Sequence, residues 1–117
     1  MKLAIPVDET GKEILKVFGI APQFLIYDTE TEEKTFLENI YACGGCKSGC
    51  GEGKNAADLL SENSIDALLT AEIAETPFLK LIMRKVAVYK LDKEVENVEN
   101  AIDFFKNGKA KISYRHF

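Results

Sequence analysis

The order of short strand-like and helix-like segments limits what this chain can fold into more than any other feature. Leu3–Val7 is a continuous apolar run with no polar side to give to water, and it reads as a buried strand. Pro6 cannot donate to a ladder, so it belongs at a strand end or where the neighbouring strand diverges. Asp8–Lys12 is a polar turn, and Glu13–Phe18 has room for one helical turn before Gly19 and Pro22. Phe24–Tyr27 reads as a second strand. Lys34–Glu38 reads as a third, with Phe36 on one face, Thr35 and Leu37 on the other, and charged ends that suit a sheet edge.

From there the pattern changes to alternation. Ala56, Leu59 and Leu60 form the apolar stripe of a helix that ends at Asn63 or Ser64. Ile65–Ala71 is a fourth strand, with Ile65, Leu69 and the rest of the run expected in the core. Thr76 and Pro77 predict a capped helix start, with Phe78, Leu81 and Ile82 facing inward. Val86–Tyr89 is a fifth strand. Asp92 is the expected cap of a last helix, whose stripe is Val95, Val98, Ile102 and Phe105 and whose close is Asn107–Gly108. Residues 109–117 form a tail with room for one short strand at Ile112–Tyr114. Strands close in sequence pair antiparallel, and strands separated by helices pair in parallel by right-handed crossovers. The reading is therefore an α/β fold, one domain over residues 1–117, with a mixed five-stranded sheet flanked by helices.

At 117 residues the chain is long enough to bury a core. Its net charge of −4 argues against nucleic acid as a partner. No apolar run approaches the roughly 20 residues that span a bilayer, and the N-terminus meets Asp8 too soon for a secretory signal. A cytoplasmic, non-membrane protein is the expectation. In a reducing compartment an odd number of cysteines points to metal or redox chemistry before a disulfide framework.

All three cysteines fall in one stretch, Cys43, Cys46 and Cys50, spaced C-x-x-C-x-x-x-C. Gly44, Gly45, Gly49, Gly51 and Gly53 are interleaved with them. Thiolates at this spacing can grip one metal or the edge of an iron–sulfur cluster, and backbone N–H groups of the glycines can bond to cluster sulfurs. Cys50 precedes the expected helix start, where the helix end and the nearby Lys47 and Lys54 favour its thiolate. A closed site usually takes four ligands. The fourth would come from a second chain, an exogenous ligand, Glu52 or His116, and the terminal His116 reads better as a solvated residue. The competing readings are a Cys43–Cys46 redox dithiol, a zinc-holding regulatory or scaffold loop, and an inert glycine-rich loop.

The remaining candidates are weaker. Gly51-x-Gly53 lacks the rest of a phosphate loop. Asp8, Asp28, Glu72 and Asp103 are the carboxylates from which a two-metal nuclease site would be drawn. Asp8 and Asp28 fall at strand ends and read better as turn residues, while Glu72 follows a buried strand and would line a loop face near the cysteines. Phe104, beside the stripe of the last helix, reads as a surface or interface aromatic. No catalytic set is assigned, and the chain is read as a non-enzyme.

Several blocks carry a family resemblance: Met1–Asp8, Phe18–Tyr27, Gly51–Leu60, Ile65–Ile73 and the closing segment Ala101–Lys109. In this order they resemble the dinitrogenase iron–molybdenum cofactor biosynthesis family over nearly the whole chain. The resemblance implies a ribonuclease-H-like mixed sheet. It also implies a small protein that binds or carries an iron–sulfur or molybdenum/iron-containing cluster and exchanges it with a donor or acceptor protein. Such a protein would be a monomer, or a homodimer sharing the cluster. Where the family often has a histidine before Phe-Gly, this chain has Val17, and where it often has one before Gly-x-Gly, this chain has Cys50. A cluster role here must rest on thiolates.

Overall fold

The computed structural model describes residues 1–39, 56–115 and 117. The described strands are β1 (Lys2–Val7), β2 (Gln23–Asp28), β3 (Lys34–Glu38), β4 (Ala67–Thr70), β5 (Ala87–Lys90) and β6 (Lys111–Ile112). The helices are α1 (Ala56–Glu62), α2 (Glu75–Met83) and α3 (Val98–Lys106). The strands form one mixed sheet in the order β3-β2-β1-β4-β5-β6. β1, β4 and β5 are parallel neighbours, while β2 pairs antiparallel with both β1 and β3, and β6 antiparallel with β5. β3 therefore runs in the same direction as β1. The carboxyl ends of β1, β3, β4 and β5 share one edge of the sheet.

Burial explains why this order holds. β1 and β4 occupy the middle, and Ile5 and Leu69 are fully buried as the apolar runs require. Pro6 lies beyond the last parallel pair of β1 and β4, Ala4 with Leu68, so its missing N–H costs no parallel ladder bond. Its carbonyl instead accepts from Leu15 N–H at 3.0 Å. Alternation along the strands divides the core in two. Ala4, Phe24, Leu68 and Val88 pack with α1 and α2 on one face, and Leu3, Ile5, Leu25 and Leu69 pack with α3 on the other. β3 lies at the edge with four of its five residues exposed, as its charged ends suggested.

Among the described residues the sheet has six strands, where five main strands were expected. The sixth is a two-residue strand beginning at Lys111, one residue before the short segment expected in the tail, and it pairs with Tyr89 and Lys90. Of Glu13–Phe18, the expected helical turn, residues 13–17 are bridged to other segments rather than helical. The bridges are Val7 with Ile14, Glu13 with Asn97 and Val17 with Glu72, and a single 3-10 turn follows at Phe18–Ile20. α2 begins at Glu75 after Ala74, with no side-chain cap, so Thr76 does not cap it and Pro77 sits in its third position. A proline is tolerated there because first-turn N–H groups have no partner within the helix. Phe78 and Leu81 define the inward face of α2, which leaves Ile82 on its flank, 42% exposed.

Asp92 does not cap α3. Its carboxylate accepts from Glu94 N–H at 3.0 Å and closes a local turn, leaving Val95 outside the helix. Asn97 is the cap, accepting from Asn100 N–H at 2.9 Å. Val98 and Ile102 are buried, Phe105 stacks edge-on against Tyr89 with centroids 5.1 Å apart, and Asn107–Gly108 closes the helix with Gly108 at φ +73°. Phe104 is partly buried against the second cluster, not a free surface ring. No helix among the described residues is long and apolar enough to cross a membrane.

Candidate functional site at the carboxyl edge of the sheet

In open α/β sheets, ligands bind outside the carboxyl ends of the parallel strands, where connections diverge. Here that edge carries Asp8 after β1, Asn39 after β3, the Ala71–Ala74 turn after β4 and Leu91 after β5. The turn after β4 is fixed to the rest of the edge through its backbone. Phe18 N–H donates to the Glu72 carbonyl at 3.0 Å, and Ile73 N–H donates to the Phe117 carbonyl at 2.7 Å. The Glu72 carboxylate stays exposed and reaches Lys93 Nζ at 3.9 Å.

The chain leaves the sheet toward the cysteine segment at this edge. Asn39 is buried, donating its Nδ2 to the Ala21 carbonyl at 2.8 Å and its N–H to the Pro22 carbonyl at 3.0 Å. The exit point is therefore locked to the strand-entry residues of β2. After the cysteine segment, α1 carries the chain from Ala56 back to the amino end of β4, with Asp66 N–H donating to the Lys2 carbonyl at 2.9 Å. α1 is held against α2 by Asp58, a carboxylate buried in its first turn. Asp58 accepts from Lys80 Nζ at 2.9 Å and pairs with the Arg84 guanidinium. This clamp was not anticipated from the sequence. Its signal was an acid among the apolar residues at the start of α1, together with two cations spaced i, i+4 at the end of α2, Lys80 within it and Arg84 just beyond.

Cys43, Cys46 and Cys50, together with Gly44, Gly45, Gly49, Gly51, Gly53, Lys47, Glu52, Lys54 and His116, lie outside the described residues. The carboxylates singled out beside them do not converge. Asp8 is at the carboxyl edge, where hydrogen bonds hold its carboxyl below the usual range, chiefly one from the Thr10 hydroxyl at 2.6 Å. Asp28 is at the opposite end of the sheet, its register partner being Lys2, and its carboxyl is lowered chiefly by Glu30 N–H. Asp103 lies on α3. Among the described residues no three His, Cys, Asp or Glu side chains form a group able to hold a metal. Asp8 and Asp28 are ionised turn-formers, as their places at strand ends suggested.

A second ionisable cluster lies away from this edge. Lys106 Nζ donates to Glu32 Oε1 at 2.7 Å and sits 5.4 Å from the centre of the Tyr27 ring. The ion pair lowers the Glu32 carboxyl and raises the Lys106 ammonium.

A family model for the dinitrogenase iron-molybdenum cofactor matches residues 1–108. Among curated proteins no sequence matches the chain. Solved structures of the same fold include the apo form of the orange protein from Desulfovibrio gigas, at TM-score 0.83 and 21% identity, covering 99% of this chain and 95% of that one. A NifB-like protein from Thermotoga matches at TM-score 0.74 and 26% identity, covering 95% and 91% of the two chains. A dinitrogenase-like protein of Methanocaldococcus jannaschii matches at TM-score 0.66 and 20% identity, covering 98% and 96%.

Proposed function

The chain belongs to the dinitrogenase iron-molybdenum cofactor family, and from that premise we propose that it is a non-enzymatic carrier of an iron–sulfur or molybdenum/iron-containing cluster. The observation that carries the reading is the family match together with three thiols in eight residues, the only cysteines of the chain. The cargo is anionic at its sulfurs and soft at its metals, and thiolates are the side chains that suit such metals. Cys43, Cys46 and Cys50 would ligate it, and the N–H groups of Gly44, Gly45, Gly49, Gly51 and Gly53 would bond to its sulfurs.

The described residues support this reading indirectly. Asn39, before the segment that holds the thiols, lies at the edge where α/β folds bind ligands, and the helix that follows the segment is clamped by Asp58. A locked exit and a clamped return limit the ends of a glycine-rich segment, which lowers the entropy cost of closing it on a ligand. The finer parts of the proposal are a ribonuclease-H-like sheet, a cytoplasmic location, a donor or acceptor protein as partner, and a monomer or a homodimer sharing the cluster.

Metal and sulfide analysis of protein purified without oxygen tests the reading. Iron with acid-labile sulfide, with or without molybdenum, is the expected result. Zinc alone would replace the carrier by a zinc-bearing regulatory or scaffold domain, and neither metal would favour a Cys43–Cys46 dithiol. In reconstitution, Cys50→Ser should lose metal at least as fully as Cys43→Ser or Cys46→Ser. Full loading of Cys50→Ser alone would refute a three-thiolate site.

A further inference from the structure

β3 is the outermost described strand on its side of the sheet, and its outer edge has a fixed hydrogen-bonding parity. Asp28 N–H donates to the Glu33 carbonyl at 3.0 Å, and Asn39 N–H donates to the Pro22 carbonyl at 3.0 Å. Both bonds continue the β2–β3 register, in which Tyr27 stands opposite Lys34 and Gln23 opposite Glu38. In an antiparallel ladder, hydrogen-bonded pairs alternate with pairs whose backbone groups turn away from each other. Glu33, Thr35, Leu37 and Asn39 therefore direct their backbone groups at β2. Lys34, Phe36 and Glu38 direct theirs outward, away from the sheet.

The same three residues share one side-chain face, because that face recurs every second residue. Phe36 stands opposite Leu25, on the side of the sheet that carries α3, and is 56% exposed. Lys34 and Glu38 flank it and are both exposed. Among the described residues neither takes part in an ion pair. A lysine on an edge strand ordinarily repels other strands. Here Glu38 balances Lys34 across Phe36, so the strand carries opposite charges at its two ends.

We propose that β3 pairs antiparallel with β3 of a second copy, about a two-fold axis that passes through Phe36 perpendicular to the sheet. In that register Lys34 stands opposite Glu38 of the second copy, and Phe36 stands opposite its own counterpart. Thr35 stands opposite Leu37 on the other face. The opposed Lys34, Phe36 and Glu38 are the residues with outward backbone groups, so each such pair exchanges both of its N–H···O bonds. Opposite charges and aromatic rings are stabilising cross-strand pairs, and like charges are not. A slip of two residues keeps the backbone parity but sets Lys34 against Phe36 and separates the charges. Parallel pairing about an axis along the strand brings lysine near lysine and glutamate near glutamate. A foreign strand would have to match both charges, whereas a second copy matches them by symmetry. Five residues a side falls well short of the roughly 20–30 of a standard interface, so the pairing is reversible. A dissociation constant of about 10–500 µM is expected. The pairing needs neither the cysteines nor a cluster, and it stands or falls apart from the carrier reading.

The test is sedimentation of the full chain from about 5 µM to about 1 mM, with a thiol reductant and a metal chelator present so that neither a disulfide nor a metal links the copies. A monomer–dimer equilibrium is expected. Lys34→Glu and Glu38→Lys should each weaken it at least about tenfold, because like charges then face each other at both ends of the pair. An equimolar mixture of the two variants should dimerise about as well as the parent, since every reversed charge again meets an opposite one. Both side chains are exposed, so the thermal midpoint of each dilute variant should stay within about 3 °C of the parent's. Hydrogen exchange reads the parity directly: the Lys34, Phe36 and Glu38 amides should gain protection as concentration rises, while Thr35 and Leu37 are protected throughout. The proposal fails if each single variant associates as the parent does, if the mixture stays monomeric, or if the alternating amides show no concentration dependence. A parent chain that remains monomeric at about 1 mM overturns it and leaves this edge to a foreign strand.

Discussion

Leu68 and Leu69 are successive residues of β4, both fully buried, but they face different clusters. Leu68 packs with α1 and α2, and Leu69 packs with α3. Truncating either to alanine removes three buried carbons and leaves a cavity, which costs about 2–5 kcal/mol. β4 is flanked by β1 and β5, so neither site can collapse from an open edge, and about 3 kcal/mol is expected for each. For a chain of this size that lowers the thermal midpoint by roughly 10–15 °C. Because the two cavities lie in separate clusters, the double variant should lose about 6 kcal/mol, additive within about 0.5 kcal/mol. That loss would exhaust much of a total stability of about 5–15 kcal/mol. Urea unfolding followed by circular dichroism measures all three variants. Metal loading should fall further in Leu68→Ala than in Leu69→Ala, since α1, the helix that follows the cysteine segment, belongs to the first cluster. A cost below about 1 kcal/mol at either site, or a coupling energy above about 1 kcal/mol, would refute the two-sided core.

Three further outcomes are expected. Glu32 is held below its ordinary pKa by Lys106, so the stability from this pair is present above the carboxyl's unfolded value and lost as pH falls through the folded one. Glu32→Gln should therefore flatten the acid limb of a stability–pH profile below pH 4.5, with its loss of stability present at pH 6 to 8 and vanishing in acid, and an unchanged acid limb would discount the pair. Gly11 sits at φ +75°, and an added Cβ would stand 2.6 Å from Phe36 Cε1. The half-exposed ring can swing aside, so Gly11→Ala should cost about 1–2 kcal/mol from the left-handed backbone, and a neutral result in thermal unfolding would mean that the turn relaxes. Asn97→Ala should remove the α3 cap and cost about 1 kcal/mol, whereas Asp92→Ala should leave the α3 amides as protected from hydrogen exchange as before.

The central strands and the sheet edge were legible because burial writes itself into composition. Leu3–Val7 and the heart of Ile65–Ala71 have no polar face, and Lys34–Glu38 carries charge at both ends. Caps were harder to read, because Asp92 and Asn97 are both competent and only tertiary contacts choose between them. Val98 N–H donates to the Lys12 carbonyl and Ile14 N–H to the Glu96 carbonyl, so the chain before α3 is held extended and the helix starts at the later cap. The same contacts turn Glu13–Phe18 from a helical turn into a strap. For the cysteine segment the residue types suggest a chemistry, and its structure lies outside the described residues.

The two margins of the sheet are unequal. β3 offers a five-residue outer margin, while β6 offers only two residues. Fibre growth needs a donor margin and an acceptor margin on every copy, so that each joining event leaves another open. Among the described strands only β3 is long enough to recruit a neighbour, and two copies joined through β3 would consume both long margins at once. Among the described strands, edge pairing through β3 would thus stop at two copies, because the strand at the other margin is only two residues long.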